Sequence, residues 1–273
     1  MPALRVFYRL SDKGEKKEKL PQISNRSCLE NFLEHFPAQE VTLIADNVGE
    51  ETFAWLQSYG LRGIVRTSLG NSGSFWRCYQ EALALGDDAT AVYFVENDYI
   101  HRDGAREALL EGLSIADYAT LYDHPDKYYD GENPEIRGGG ERTVVRLTAS
   151  CHWKYTNSTT LTFASTVGIL RRDQTVFRNY TVGLIPGQNR LLRRFQAKRI
   201  PHDYTIFRLL RKWRGRRLAS PIPPIPPTAK PRTSHRFSAS MRPDRYLRPA
   251  RAPLTRIFHN GRRERETNLR RIA

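Results

Sequence analysis

Short runs rich in β-branched and aromatic residues punctuate the first part of the chain: Leu4–Leu10 (LRVFYRL), Val41–Ala45 (VTLIA), Gly63–Thr67 (GIVRT) and Ala91–Val95 (AVYFV). These read as buried strands. Between the first two, Leu29, Phe32, Leu33 and Phe36 recur at the i, i+3, i+4, i+7 spacing of a helix, with Asn25 or Ser27 as its cap and Pro37 as its stop. Glu50–Tyr59 reads as a second helix closed by Gly60. Asn71–Leu85 reads as a loop running into a helix that ends at Gly86. Glu107–Leu113 then predicts a helix and Tyr118–Tyr122 (YATLY) a strand. Strands separated by helices imply right-handed crossovers and a mostly parallel central sheet flanked by helices, the α/β class.

Past Asp123 the pattern loosens into a Gly/Pro-rich loop. Thr143–Leu147 and Thr159–Ala164 are strand candidates, with SCHWKYTNS between them. His202–Lys212 is strongly amphipathic and Arg217–Pro221 reads as a last short strand. Nine of the sixteen prolines fall in residues 219–273, where apolar periodicity is lost. The expectation is one folded domain over 1–222, with halves at 1–125 and 126–222, and a disordered Pro/Arg-rich tail over 223–273.

The net charge of +15 changes this picture because it is unevenly spread. Residues 1–170 hold 17 Lys/Arg against 24 Asp/Glu, residues 171–218 hold 14 against 2, and residues 219–273 hold 13 against 3. A basic C-terminal third invites a polyanion partner, whereas a solvated basic face is the plainer reading. Cys28, Cys78 and Cys151 are odd in number and widely spaced, which argues against a disulfide framework or a zinc site. The opening MPALRVFYRLSDKG has no hydrophobic leader, and no run approaches the length of a membrane span. A cytoplasmic setting is expected.

In parallel sheets, ligands bind beyond the carboxyl ends of the strands, and three successive strand ends here are polar. Asp46-Asn47 follows VTLIA. The small residues of TSLGNSGS, with Asn71, Ser72 and Gly73, follow GIVRT and lead into a helix, a setting that presents N–H groups to an anion. Glu96-Asn97-Asp98 closes the AVYFV strand. Carboxylates two residues apart suit a hard divalent cation, Mg²⁺ or Mn²⁺, completed by water and phosphate oxygens; a solvated turn is the simpler alternative.

This succession of strand, Asp46 turn, small-residue loop with helix, and FVEND resembles the nucleotide-binding half of GT-A glycosyltransferases, closest to the family 2-like group. The resemblance covers about residues 4–222. It implies a metal-dependent, inverting transfer of a sugar from a UDP- or GDP-linked donor to a saccharide or other hydroxyl acceptor. Glu96 and Asp98 would then be the metal ligands, with Glu in place of the family's first Asp. Asp46, Asn47, Asn71, Ser72, Gly73 and Asn97 would hold the nucleotide sugar. Asp203, at the start of the amphipathic helix, matches the family's catalytic base, and the same residue is equally suited to capping that helix. Asp123, His152 and Trp153 are candidates for holding the acceptor, against the reading of Trp153 as core. The family's metal-completing His has no clear counterpart: PIPPTAKPRTSHRFSAS follows Ile222, with only His235 nearby.

The competing reading is a basic nucleic-acid-binding or scaffold protein that retains a degenerate transferase fold. No nucleic-acid module is visible, so nucleic acid is not expected as an obligate partner. The basic tail remains a candidate for peripheral membrane or polyanion contact.

Overall fold

The computed structural model describes residues 3–13, 24–123, 127–128, 133, 135–136, 138, 140–183 and 202–222. All belong to the first of the chain's two units, Met1–Ser240 and Met241–Ala273. The expected tail therefore lies outside the described residues, as does His235.

Among the described residues nine strands form one sheet: β1 (Leu4–Leu10), β2 (Val41–Asp46), β3 (Gly63–Thr67), β4 (Ala91–Glu96), β5 (Tyr118–Ala119), β6 (Val145–Leu147), β7 (His152–Tyr155), β8 (Phe163–Thr166) and β9 (Leu218–Ile222). Their order is β3-β2-β1-β4-β8-β5-β9-β7-β6. β3, β2, β1 and β4 are mutually parallel. β8 is inserted antiparallel between β4 and β5, and β5 pairs parallel with β9. The α/β architecture expected from the sequence, a central sheet flanked by helices, is what the chain forms; its first four strands are parallel, and the described sheet as a whole is mixed.

Among the described residues six α-helices flank the sheet: α1 (Asn25–His35), α2 (Glu50–Leu56), α3 (Gly70–Leu83), α4 (Ala105–Ile115), α5 (Val167–Thr181) and α6 (Asp203–Arg214). Alternate residues of the strands feed two cores. Leu4, Val6, Tyr8 and Leu10 of β1 join Tyr93 and Val95 of β4 beneath α1, α2 and α4. Phe7, Val92 and Phe94 pack with Phe75, Tyr79, Phe177 and Phe207 beneath α3, α5 and α6. Burial on both faces explains why β1, β2 and β4 read as continuous apolar runs rather than alternating ones. Among the described residues no helix is long and apolar enough to cross a membrane, and the three cysteines are buried and form no disulfide.

Several local expectations are corrected. The α1 cap is Ser24, whose hydroxyl accepts from Ser27 N–H while the Ser27 hydroxyl accepts from the Ser24 N–H, a reciprocal capping box. The small-residue segment after β3 is the first turn of α3, which begins at Gly70. HWKY within SCHWKYTNS is strand β7, paired antiparallel to both β6 and β9. Helix α5 was not anticipated, because its buried stripe includes Gly168, Asp173 and Thr181, and polar residues facing a core hide the helical period.

Asp173 is the reason for one of those exceptions. It is fully buried and accepts from the Tyr118 hydroxyl at 2.7 Å and from Arg216 Nε at 2.8 Å and Nη2 at 3.2 Å. Burial, with Asp173 among the neighbouring groups, pushes the Tyr118 phenol well above its ordinary value. The carboxylate thus fastens α5 to β5 and to the entry of β9. Removing one member of a buried pair strands the other, so Asp173→Ala is expected to cost about 3 kcal/mol. Urea unfolding reads this directly, and a loss below about 1 kcal/mol would show that the cluster behaves like a solvated surface pair.

Candidate functional site

The carboxyl ends of β1 to β4 converge on one edge of the sheet. At β2, Asp46 is only 3% exposed. Its Oδ1 accepts from the Thr67 hydroxyl at 2.8 Å and the Leu69 N–H at 2.6 Å, and its Oδ2 from the Gly70 N–H at 3.0 Å and the Asn47 amide at 2.7 Å. A carboxylate against these N–H groups stabilises the positive end of the α3 dipole. Asp46 therefore anchors the β3–α3 turn, a use of its oxygens that the sequence reading did not foresee.

Asn47 adopts the left-handed conformation, with φ of 53°, and its Oδ1 accepts from Ser68 Oγ at 2.6 Å. Beside it a cleft of about 550 Å³ is lined by Asp12, Lys13, Asn47, Val48, Gly49, Arg66, Thr67 and Ser68. That volume is in the range of small-molecule sites. In the first turn of α3, a Cβ on Gly73 would fall 2.7 Å from the Leu69 Cβ. Ser72 is buried beside it.

Strand periodicity sets the next feature. Arg9 and Glu96 are register partners in the β1–β4 pairing, each continuing the row that includes Phe7 and Phe94. Arg9 is 7% exposed. Its Nη2 donates to Glu96 Oε1 at 2.5 Å, while Nη1 donates to the Asn71 carbonyl at 2.9 Å, to Asn71 Oδ1 at 2.8 Å and to Ser74 Oγ at 3.3 Å. One guanidinium thus joins β1, β4 and the first turn of α3. It went unrecognised in the sequence, although an Arg on the core-facing phase of an otherwise apolar strand was a readable signal.

Asn97 donates to Asn25 Oδ1 at 2.7 Å, and Asn25 in turn donates to the Ser11 carbonyl at 3.0 Å. This ties the turn after β4 to the start of α1. Tyr99 is buried, its hydroxyl 2.7 Å from Thr160 Oγ1. Burial first, then the charges of Asp98 and Glu96, raise its phenol well above the ordinary value, so both carboxylates act on the same ring. The donor set of Glu96, Asn97 and Asp98 is all oxygen, which fits Mg²⁺ or Mn²⁺ and not zinc. Among the described residues no group of three or more His, Cys, Asp or Glu converges on one point. The described part of the chain would thus supply two carboxylates at most.

The Tyr99 ring meets Tyr122 edge-on at 5.5 Å, which brings Asp123 next in line. Asp123 lies 2.9 Å from the Nζ of Lys154, a lysine 3% exposed that also lies 3.6 Å from Glu141 Oε2 and 4.2 Å from the centre of the Tyr128 ring. Tyr128 donates a short hydrogen bond to Asp123 Oδ2. Sequence reasoning found Asp123 but none of these partners. His152 is exposed on β7. Trp153 is not: it is fully buried, its indole N–H donates to Thr148 Oγ1 at 2.8 Å, and its ring lies 2.8 Å from where a Cβ on Gly112 of α4 would sit. The expectation that Trp153 holds an acceptor is corrected, since it belongs to the core. Asp203 is the first residue of α6, half-buried, with Oδ1 accepting from the Tyr204 N–H at 2.8 Å.

No protein-family model matches the chain, and no curated protein matches it in sequence. Solved structures that it resembles include mannose-1-phosphate geranyltransferase from Thermus thermophilus, at 14% identity and a TM-score of 0.41 over 80% of this chain and 73% of that one. They include the apo-form glycosyltransferase GlyE of Streptococcus pneumoniae, at 9% identity and a TM-score of 0.40 over 80% of this chain and 45% of that one. A third is the galactosyltransferase LgtC in complex with donor and acceptor sugar analogues, at 9% identity and a TM-score of 0.39 over 65% of each chain. These are transferases by name, and at such scores the likeness carries no argument about the chemistry of this chain.

Proposed function

We propose that this protein transfers a sugar from a nucleoside-diphosphate donor to a hydroxyl acceptor. The observation that carries the reading is the convergence at one sheet edge of a cleft beside Asn47, the α3 first turn and the Glu96-Asn97-Asp98 oxygen set. A nucleoside would occupy the cleft, with Asn47 lining it and Asp46 acting through the turn it anchors. Asn71, Ser72 and Gly73, in the first turn of α3, would meet the diphosphate.

Asp98, together with the Glu96 oxygen not held by Arg9, would hold a divalent cation, which would offset the charge that builds on the leaving diphosphate. The chain's own residues do the rest. Asp203 accepts the proton of the acceptor hydroxyl as that oxygen attacks the anomeric carbon and the diphosphate departs. The resemblance to family 2-like enzymes implies attack from the face opposite the leaving group, hence inversion. Asp123 and the exposed His152 would hydrogen-bond the acceptor.

Three outcomes test this. In a thermal-shift panel, a UDP- or GDP-linked sugar with Mn²⁺ raises the melting temperature, because a ligand specific for the native state stabilises it. No shift with any nucleotide sugar would remove the reading. Asp98→Ala keeps the circular dichroism spectrum and loses Mn²⁺-dependent nucleotide binding in calorimetry; retained binding would eliminate Asp98 as a ligand. Asp203→Asn keeps donor binding while transfer falls about a hundredfold or more. Since Asn caps a helix about as well as Asp, near wild-type turnover in that variant would assign Asp203 to capping alone.

A further inference from the structure

Arg9 has no counterpart among the residues assigned above, yet it is the most constrained charge at the site. Its guanidinium is 7% exposed, braced on one side by Asn71 and Ser74 and on the other by Glu96, and it lies 5.4 Å from the centre of the Phe75 ring. Three acceptors on α3 hold Nη1, so the fork cannot swing away without leaving a buried cation uncompensated. Glu96 is thus half of a fixed ion pair, with its side chain 27% exposed. Among the described residues, the charges at the proposed cation site are Glu96, Asp98 and Arg9, formally a single net negative charge.

We propose that Arg9 is a built-in counter-ion that makes divalent-cation binding conditional on the nucleoside diphosphate. This inference rests on the transferase reading and names how its donor site is regulated. A hard dication needs several anionic oxygens. Two carboxylates with a guanidinium fixed to one of them attract it weakly. A diphosphate brings both the missing oxygens and the missing charge, and meets less repulsion from Glu96 because Arg9 has neutralised it. Cation and donor therefore bind as a unit. Arg9 is a positioning residue: it acts through Glu96 and need not touch either ligand.

The test is Mn²⁺ binding, followed by the electron paramagnetic resonance of free Mn²⁺ at low ionic strength, with and without UDP or GDP. In the wild-type chain Mn²⁺ binds weakly alone and at least about tenfold more tightly with one of the nucleotides. Arg9→Gln binds Mn²⁺ about tenfold more tightly than wild type in the absence of nucleotide, since the removed charge lay a few ångströms away. Arg9→Lys, which keeps the charge, behaves as wild type. Equal nucleotide-free affinity in Arg9→Gln and wild type, with nucleotide binding intact in both, overturns the inference and leaves the transferase reading standing. Absence of Mn²⁺–nucleotide binding in the wild type overturns both.

Should Arg9→Gln not fold, Glu96→Gln carries the test from the other side. Freed from its partner, Arg9 then strengthens metal-free UDP or GDP binding several-fold. Unchanged metal-free affinity overturns the inference.

Discussion

The Arg9–Glu96 pair is the constraint on which the site edge depends. An arginine at the end of a central strand must be solvated by protein, because water does not reach it. Glu96 across the register and the α3 first turn supply that solvation. The consequence is geometric. β1, β4 and α3 meet at a fixed point, and the Glu-Asn-Asp turn leaves β4 from that point. Asp46 does the same one strand over, where its carboxylate fastens the β3–α3 junction. Two ionised groups of opposite sign therefore hold the same helix start from two strands, which fixes the wall between the cleft and the acidic turn.

The basic block of residues 171–218 takes on a different meaning in this light. Arg216 and Arg214 pair with the buried Asp173, and Arg216 also reaches Asp117. Arg208 and Arg211 both meet Glu135, and Arg171 meets Asp88. The Glu135 carboxyl is held below its ordinary value by the Asn157 amide and these arginines, against the burial that opposes them. Among the described residues, five arginines of this block thus join helices to the sheet and its loops. For these five, a structural use stands beside any contact with a polyanion.

The first four strands, their order of appearance and the polar character of their carboxyl ends were legible in the sequence, because burial on both faces writes itself as apolar runs. What was not legible has one common cause: polar groups buried by pairing with residues distant in sequence. Asp173 within α5, Lys154 within β7 and Arg9 within β1 each look like a surface residue or an interruption when only neighbours are considered. Each is paired with a residue between 31 and 87 positions away: Asp123 for Lys154, Arg216 and Tyr118 for Asp173, Glu96 for Arg9. Periodicity cannot report such pairs. The misreading of Trp153 is the mirror case, where a ring set between polar neighbours looked like a sugar platform and is held in the core by Gly112 and Thr148.

The two ends of the sheet then divide the work by how completely their charges are satisfied. At the amino end, Asp173 has each oxygen bonded to Arg216, and Tyr118 fills the remaining lone pair of Oδ2. Such a cluster is closed, and its contribution is to hold elements together. At the carboxyl end, Glu96 gives one oxygen to Arg9 while more than a quarter of its side chain stays exposed. Asp123 is engaged by Lys154 and Tyr128 and follows directly on Tyr122, whose ring meets Tyr99 beside the acidic turn. Oxygens that are oriented by a fixed cation and not saturated by it are the kind that recognise a ligand. That difference, more than the number of charges at either end, is the physical ground for placing the proposed donor site at the carboxyl edge.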